Sequence, residues 1–132
     1  MATPVPAPVG DSMKLGEWGE EAAASFLSKL GYEILERRYR CPPIKGDIDL
    51  IARDSSRNPA CLVFVEVKTR RSKDVRVAEA AVHWAKRRAV VRLAGAYIQR
   101  LRRPTAWRYD VMSVYPGPVI EHIIEAFTSQ TR

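Results

Sequence analysis

The sequence has no long apolar run and only two cysteines, and each shortage excludes a class of protein. No stretch approaches the roughly 18 apolar residues that a membrane-spanning helix needs, so we expect no transmembrane segment. The first residues, MATPVPAPVG, carry neither a basic region nor a continuous apolar region, which is not the pattern of a secretory signal. Cys41 and Cys61 lie far apart and form no CxxC motif, so neither a disulfide framework nor a zinc site is indicated. A cytoplasmic protein with free thiols is the expectation.

Acidic residues are missing from one long segment, the stretch between His83 and Arg108. The whole chain has 22 lysines and arginines against 15 aspartates and glutamates, a formal net charge of +7. Charge that served only solubility would be interspersed in both signs, so this segment predicts an anionic partner, and nucleic acid is the usual one. A membrane surface is not expected, because no strongly amphipathic terminal helix is present. The basic residues of the segment are Lys86, Arg87, Arg88, Arg92, Arg100, Arg102, Arg103 and Arg108.

The length of 132 residues suits one domain with one core. Residues 1–12 contain three prolines among small residues and are predicted to be a flexible tail, followed by a domain over residues 13–132. From Lys14 to Leu30, apolar residues recur at steps of three and four, which predicts a first helix. Gly31 then ends that helix, since glycine readily adopts a left-handed backbone.

The rest of the domain is predicted to consist of five strands and a second helix. That helix runs from about Trp84 to Arg102, and Pro104 follows its end. The resulting order, α-β-β-β-α-β-β, predicts an α/β fold in which a small mixed sheet is flanked by helices. The strands are expected at Tyr32–Tyr39, Gly46–Asp54, Cys61–Lys68, Ala106–Tyr115 and Val119–Phe127.

The second and third strands are predicted to form a hairpin, because the segment SSRNPA between them is turn-forming. In a simple register, with Asp54 opposite Cys61, opposed residues share a face and side chains alternate with a period of two. Asp49 then falls opposite Glu66, and Asp47 opposite Lys68. These four polar side chains are expected on one face of the hairpin. The apolar neighbours expected on the other face are Ile48, Leu50, Val63, Val65 and Val67.

Three carboxylates beside one lysine need a compensating charge, since like charges across a strand pair are destabilising. A divalent cation supplies it: Mg²⁺, or Mn²⁺ in its place, prefers hard oxygen ligands and usually takes one or two carboxylates. Lys68 would then position or deprotonate an attacking water and stabilise negative charge. The alternative is an ordinary surface on which Lys68 forms salt bridges with Asp47 and Glu66.

The segments KGDIDLIARD and LVFVEVKTRRS resemble the PD-(D/E)XK nuclease superfamily, in which an Asp precedes a Glu-x-Lys motif. More closely, from about Lys14 to Phe127 the chain resembles an uncharacterised bacterial family, the YraN-type proteins, which are relatives of archaeal Holliday junction resolvases. The resemblance implies a restriction-endonuclease-like fold. Its other segments are GEWGEEAAASFL, GYEILERRYRC, AKRRAV, RYDVMSV and HIIEAF.

The resemblance also implies the roles of particular residues. Glu20, in the first helix, matches a glutamate that such nucleases often contribute, and it lies seven residues before Leu27, at the edge of the apolar stripe. The alternative is that Glu20 only stabilises the first turns of the helix through the macrodipole. The side chains given a catalytic role are Asp49, Glu66, Lys68 and Glu20, and the expected metal ligands are Asp49, Glu66 and the carbonyl oxygen of Val67.

Two departures from the family pattern stand out. Asp47 occupies a position where the family more often has Glu, which preserves the charge. His83-Trp84 replaces the Asp-Pro expected before the basic helix, which leaves the start of that helix open.

Neither His83 nor His122 has a metal-ligand spacing, so neither is given a catalytic role.

Basic residues close to the Glu-x-Lys strand are expected to grip the phosphate backbone. The alternative for them is an ordinary solvated run of charge. Trp84 and Trp107 are expected to pack in the core rather than stack on bases. Asp110 alternates on a strand, and its role is open, with pairing to the basic helix as one option. The predicted nucleic-acid contacts are Arg70, Arg71 and Lys73, which follow the strand, and Lys86, Arg87 and Arg88 on the second helix.

Three functions are compatible with this pattern. The first is a Mg²⁺-dependent endonuclease acting on DNA rather than RNA, including branched recombination intermediates, for which a homodimer is expected because junction resolution needs two active sites. The second is a nucleic-acid-binding module that keeps the nuclease fold without turnover. The third is a protein-interaction adaptor that docks an acidic partner on its basic helix.

Overall fold

The structure, a computed structural model, describes residues 5–10, 12–71 and 77–128. For residues 12, 13 and 77–84 it describes the backbone but not the side chains. Lys73 lies outside the described residues, as do the side chains of His83 and Trp84. The phosphate contact of Lys73 and the core packing of Trp84 therefore stay predictions.

The predicted order α-β-β-β-α-β-β is confirmed, and the last two strands have the predicted bounds. The main difference concerns the second helix, which begins at Val77 rather than near Trp84. Its first residues, VAEAA, contain strong helix formers and neither Gly nor Pro, so the helix extends toward its N-terminus. The helices are α1 (Ser12–Lys29) and α2 (Val77–Leu101), and the strands are β1 (Glu33–Cys41), β2 (Ile44–Asp54), β3 (Cys61–Thr69), β4 (Ala106–Tyr115) and β5 (Val119–Phe127).

The five strands form one mixed sheet in the order β1-β2-β3-β4-β5. Strands β3 and β4 are parallel, and the other neighbours are antiparallel. A parallel pair needs a long crossover, and α2 provides it. No helix in the described part of the chain is both long and apolar enough to cross a membrane.

Each face of the sheet is covered by one helix, so apolar side chains on both faces are buried. The face toward α1 packs Leu50, Ala52, Val63, Val65, Met112 and Val114 against Ala23, Ala24 and Leu27. The face toward α2 packs Tyr39, Ile48, Ile51, Leu62, Phe64, Tyr109 and Val111 against Val90, Leu93 and Ala94.

The predicted hairpin register is confirmed where β2 and β3 are paired, with Asp54 opposite Cys61 and Leu50 opposite Val65. The face predicted for Ile48 is wrong, because Ile48 packs on the α2 side together with Ile51, whereas Leu50 packs on the α1 side. Strict alternation is therefore interrupted between Ile48 and Leu50. On the neighbouring strand β1, Arg38 lies between the partners of Leu50 and Ile48 and has a left-handed backbone (φ 47°). Both strands are therefore irregular at this point.

Close contact fixes α1 over the end of β3. A Cβ atom added at Gly19 would lie 1.9 Å from the hydroxyl oxygen and 2.8 Å from the Cβ of Thr69, so no larger residue fits without a shift. The absence of a side chain at Gly19 lets the helix approach the strand, and it places the neighbouring Glu20 near the same end of the sheet.

The proline-rich segment before α1 contacts the domain at two points. The indole of Trp18 donates a hydrogen bond to the Val5 carbonyl (2.6 Å), and the Arg71 guanidinium donates one to the Pro8 carbonyl (2.9 Å). These bonds show where residues 5–8 lie, while the flexibility predicted for residues 1–12 stays a prediction.

Candidate active site

Strands β2 and β3 separate where the acidic residues begin. Within the described ranges of these two strands, backbone pairing ends at Leu50 and Val65, and the earlier part of β2 continues to pair with β1. Instead, the backbone N–H of Val67 donates a hydrogen bond to Oδ2 of Asp49 at 2.8 Å. The Asp49 carboxylate thus occupies the gap between the strands. The predicted oppositions of Asp49 with Glu66 and of Asp47 with Lys68 are not backbone pairs, because the pairing of β2 with β3 ends at Leu50 and Val65.

Two carboxylates are buried at this gap. Asp49 is 6% exposed and Glu66 is 3% exposed. Burying a carboxylate is costly unless it is paired or hydrogen-bonded, yet Oε2 of Glu66 has no hydrogen-bond partner among the described residues. Unsatisfied oxygen in a hard anionic group suits a divalent cation. The residues present at the gap therefore fit Mg²⁺ or Mn²⁺.

A lysine from α2 reaches into the same gap. Nζ of Lys86 lies 3.2 Å from Oδ2 of Asp49. Burial raises the pKa of Asp49, and Lys86 and the Val67 amide only partly offset that effect. For Lys86, burial alone would lower the pKa, but attraction by Asp49 and Glu66 outweighs it and raises the pKa. The ammonium is therefore charged at neutral pH, and it faces both carboxylates.

The raised pKa of Asp49 predicts that its charge costs stability. A folded-state pKa above the unfolded value stabilises the fold below about pH 3.8, and this contribution is lost as pH rises through the folded-state pKa. Asp49→Asn removes the charge and keeps an oxygen for the Val67 amide. We expect an unchanged or higher melting temperature at pH 7, with a smaller difference at pH 4.

The matched control for this measurement is Asp47→Asn, two residues earlier on β2, where the side chain is 31% exposed. Both variants are followed by circular dichroism during thermal unfolding. A fall of several degrees for Asp49→Asn at pH 7 would show that the carboxylate supports the fold instead of straining it.

Glu20 lies on the α1 side of this region, within electrostatic reach of Asp49. Its Oε1 accepts a hydrogen bond from Nε of Arg38 at 2.9 Å, and its side chain is 23% exposed. The left-handed backbone at Arg38 brings the guanidinium to this side. Together these side chains line a cleft of about 300 Å³ between α1 and β1, whose walls are Glu17, Glu20, Glu21, Arg37, Arg38 and Leu50.

The remaining predicted members of the polar face are placed differently. Asp47 is turned toward β1, with Oδ2 3.9 Å from the Arg40 guanidinium. Lys68 is half-buried and stands beside Ser113 in the parallel pairing of β3 with β4. Across the described ranges, no three His, Cys, Asp or Glu side chains gather as a metal cluster. The arrangement offers two protein carboxylates as metal ligands, Asp49 and Glu66. Ligation by the Val67 carbonyl stays a prediction.

The residues predicted to contact nucleic acid are in varied environments. Arg71 is exposed and bonded to the Pro8 carbonyl, Arg70 is half-buried, and Arg88 is exposed. The guanidinium of Arg87 lies 4.9 Å from the centre of the Phe127 ring, so it packs against the sheet. Whether these side chains bind phosphate stays a prediction.

The placement of Lys86 in the gap was not foreseen, although the sequence contains a signal for it. Lys86 lies four residues before Val90, in the helical stripe that continues to Leu93 and Ala94. Residues at steps of three and four share one face of a helix, so Lys86 had to face the sheet.

A second polar cluster was also missed, and it decides the role that the sequence left open for Asp110. Asp110 does not pair with the basic helix but with Arg108 on its own strand (3.0 Å) and His122 on β5 (2.7 Å). The alternation of side chains in β4 places Asp110 and Arg108 on the α1 side of the sheet, away from α2. Trp107 is 46% exposed, so the prediction that it packs in the core is wrong.

The chain matches a known family over most of its length. The family described as "Uncharacterised protein family UPF0102" matches residues 19–114, a range that includes Glu20, Asp49, Glu66, Lys68 and Lys86. A UPF0102 protein of Symbiobacterium thermophilum is 47% identical over 108 residues, covering 81% of this chain and 86% of that protein. One from Roseiflexus castenholzii is 41% identical (86% and 93% covered), and one from Nocardia farcinica is 43% identical (90% and 93% covered).

Proposed function

The chain belongs to the uncharacterised protein family UPF0102, and from the geometry of its sheet we propose that it is a metal-dependent endonuclease that hydrolyses phosphodiester bonds in DNA. One observation carries the proposal. Two buried carboxylates, Asp49 and Glu66, flank the point where β2 and β3 separate, Lys86 is attracted by both, and one carboxylate oxygen of Glu66 has no partner among the described residues. A buried acidic pair of this kind is costly without a function.

Asp49 and Glu66 would hold the cation, with the Val67 carbonyl as a further oxygen ligand. The amide of Val67 already fixes the orientation of the Asp49 carboxylate. Bound there, Mg²⁺ or Mn²⁺ would activate water and neutralise charge that develops on the phosphate.

Lys68 follows Glu66 by two residues on β3, so both side chains project from the same face of the strand. Its ammonium would orient the attacking water and stabilise negative charge on the phosphoryl oxygens. Glu20 would contribute from α1, where its hydrogen bond with Arg38 holds it beside the cleft.

The net charge of +7 supports an anionic polymer as substrate. Exposed cations at Arg71 and Arg88 would add non-specific attraction for the phosphate backbone. The resemblance to archaeal Holliday junction resolvases supports DNA, with branched intermediates among its substrates. Cutting both strands of a junction needs two active sites, so a homodimer is part of the proposal for that substrate.

A catalytically silent nucleic-acid-binding module is the second candidate. One contact favours it: Lys86 already pairs with Asp49, and an ammonium there satisfies the carboxylate without any metal. A module of this kind would bind DNA with steep salt dependence and leave it intact.

The test is cleavage of labelled DNA, as single strand, duplex and four-way junction, with Mg²⁺, with Mn²⁺ or with EDTA. We expect cleavage that needs the cation and is lost in Asp49→Asn. Asp47→Asn, purified in parallel, is expected to keep cleaving, because its carboxylate is turned toward β1. Salt-sensitive binding of every substrate without cleavage in either cation would favour the silent module, and activity that persisted in Asp49→Asn would place the chemistry elsewhere.

A further inference from the structure

Two anionic partners compete for the Lys86 ammonium, a DNA phosphate and the Asp49 carboxylate, and it cannot contact both at once. Its charge belongs to the basic segment that predicts phosphate contacts, yet its Nζ lies 3.2 Å from Oδ2 of Asp49. Glu66 and Asp47 also attract it. An ammonium paired with the buried Asp49 carboxylate is not available to an anionic polymer.

The position of Lys86 allows it to leave the gap. Its side chain is 34% exposed, whereas that of Asp49 is 7% exposed, so the lysine enters from the solvent side and the carboxylate is fixed inside. Lysine has a flexible four-carbon stem, and its ammonium bonds in no fixed plane. Rotation about that stem moves the charge outward and leaves α2 in place.

A cation bound by Asp49 and Glu66 would repel the Lys86 ammonium, because both would lie beside the Asp49 carboxylate. Conversely, the ammonium pairs with Asp49 when no cation is present. Lysine and divalent cation are therefore competing counter-ions for one site.

We propose that Lys86 is an exchangeable counter-ion, which holds Asp49 in the metal-free protein and, once a divalent cation displaces it, contacts a DNA phosphate. This inference rests on the proposed function, since it requires that the gap bind a cation. It assigns Lys86 a positioning role that couples cation binding to DNA binding.

Direct binding of Mn²⁺, measured by isothermal titration calorimetry without DNA, tests the first half. Lys86→Met keeps the length of the side chain and removes the competing charge. We expect its affinity for Mn²⁺ to rise about tenfold, within the usual range of coupling between two ligands. Lys86→Arg, which keeps a positive charge, is expected to bind Mn²⁺ about as weakly as the wild type. Lys29→Met, at the exposed end of α1, controls for the change in net charge.

The second half is tested by the salt dependence of DNA binding, with Ca²⁺ as an oxygen-seeking cation and the DNA checked for intactness afterwards. One phosphate contact contributes about 0.9 to the slope of log K against log salt. We expect wild type and Lys86→Met to have equal slopes in EDTA. In Ca²⁺ the slope of the wild type should be steeper than that of Lys86→Met by about 0.9, the contribution of one phosphate contact.

The outcomes separate this inference from the proposed function. Equal Mn²⁺ affinity in wild type, Lys86→Met and Lys86→Arg would overturn the counter-ion role while leaving a cation site intact. A slope difference already present in EDTA would show that Lys86 contacts phosphate without any exchange. Absence of Mn²⁺ binding in all three proteins would instead refute the cation site, and the proposed function with it. If Lys86→Met is unfolded, Lys86→Gln replaces it in both measurements.

Discussion

Glu66→Gln is expected to abolish Mn²⁺ binding and to lower metal-dependent cleavage of DNA by about a thousandfold or more, as when one member of a catalytic unit is removed. Glu66 is 3% exposed, and its Oε2 has no hydrogen-bond partner in the part of the chain that the structure describes, so this carboxylate is the group that most needs a cation. The carboxamide has the same shape but no charge, and its NH₂ group cannot ligate a hard cation. Calorimetry and a gel-based cleavage assay measure the two effects.

Lys68→Met separates ligation from the chemistry that follows it. The ammonium of Lys68 binds no cation, so Mn²⁺ affinity is expected to stay at or above that of the wild type, while cleavage is expected to fall about as far as in Glu66→Gln.

Glu33→Gln is the matched carboxylate control for Glu66→Gln, because Glu33 is an exposed residue on β1 that pairs with Arg53 and lies away from the gap. Glu66→Gln that still bound Mn²⁺ and cut DNA would show that the buried pair is structural.

The last two strands were predictable because prolines delimit the turn between them, whereas β1 and β2, predicted to end at Tyr39 and to begin at Gly46, each extend two residues further. Pro116 and Pro118 delimit the turn between β4 and β5, and both strands have their predicted bounds. The start of α2 was not predictable in this way, since no capping residue or proline marks Val77. Propensity alone let the helix extend.

The register of the hairpin followed from alternation, but only as far as Leu50. Beyond it, the left-handed backbone of Arg38 and the interrupted alternation in β2 depart from a period of two, so alternation alone did not predict them. The positions of Asp49 and Glu66 on the hairpin could therefore be predicted, whereas the contact across the gap could not. Oδ2 of Asp49 accepts a hydrogen bond from the backbone N–H of Val67, the residue after Glu66.

The polar cluster around Arg108 was out of reach of sequence analysis because its members are distant in the chain. Arg108 connects three segments, since its guanidinium donates hydrogen bonds to Asp54 (2.9 Å), Asp110 (3.0 Å) and the Tyr32 hydroxyl (2.7 Å). A pattern with a period of two places Arg108 and Asp110 on one face, but the approach of the β2 end and of Tyr32 is decided only by the fold.

Removal of this arginine is expected to have the largest effect on stability. Arg108→Met leaves two carboxylates, which are 4% and 0% exposed, without their main cation. Breaking a buried ion pair from one side typically costs about 3 to 5 kcal/mol, so we expect the free energy of unfolding in urea to fall by that amount. Arg103→Met, at an exposed arginine after α2, should change it by no more than about 0.5 kcal/mol.

The pH dependence of this loss follows from Asp54. Burial alone would raise the pKa of Asp54, but hydrogen bonds from Ser56 and Arg108 outweigh it and lower the pKa to about 2. A depressed pKa stabilises the fold above the unfolded value near 3.8, and this contribution is lost as pH falls toward 2. The wild type should therefore lose stability between about pH 4 and pH 2, and Arg108→Met should lose less over that interval because its Asp54 retains the Ser56 bonds and the longer Arg57 ion pair (3.7 Å) but not the Arg108 bond.

Stability and chemistry are expected to separate in this variant. Arg108 lies beside Val63 on β3, three residues before Glu66, which is about 10 Å along a strand. Folded molecules of Arg108→Met should consequently keep the Mn²⁺ affinity of the wild type at low temperature, where enough of the protein remains folded. A drop of less than about 1 kcal/mol in unfolding free energy would mean that water replaces Arg108 at no cost. Loss of Mn²⁺ binding in folded Arg108→Met would show that the two polar clusters are coupled through β3.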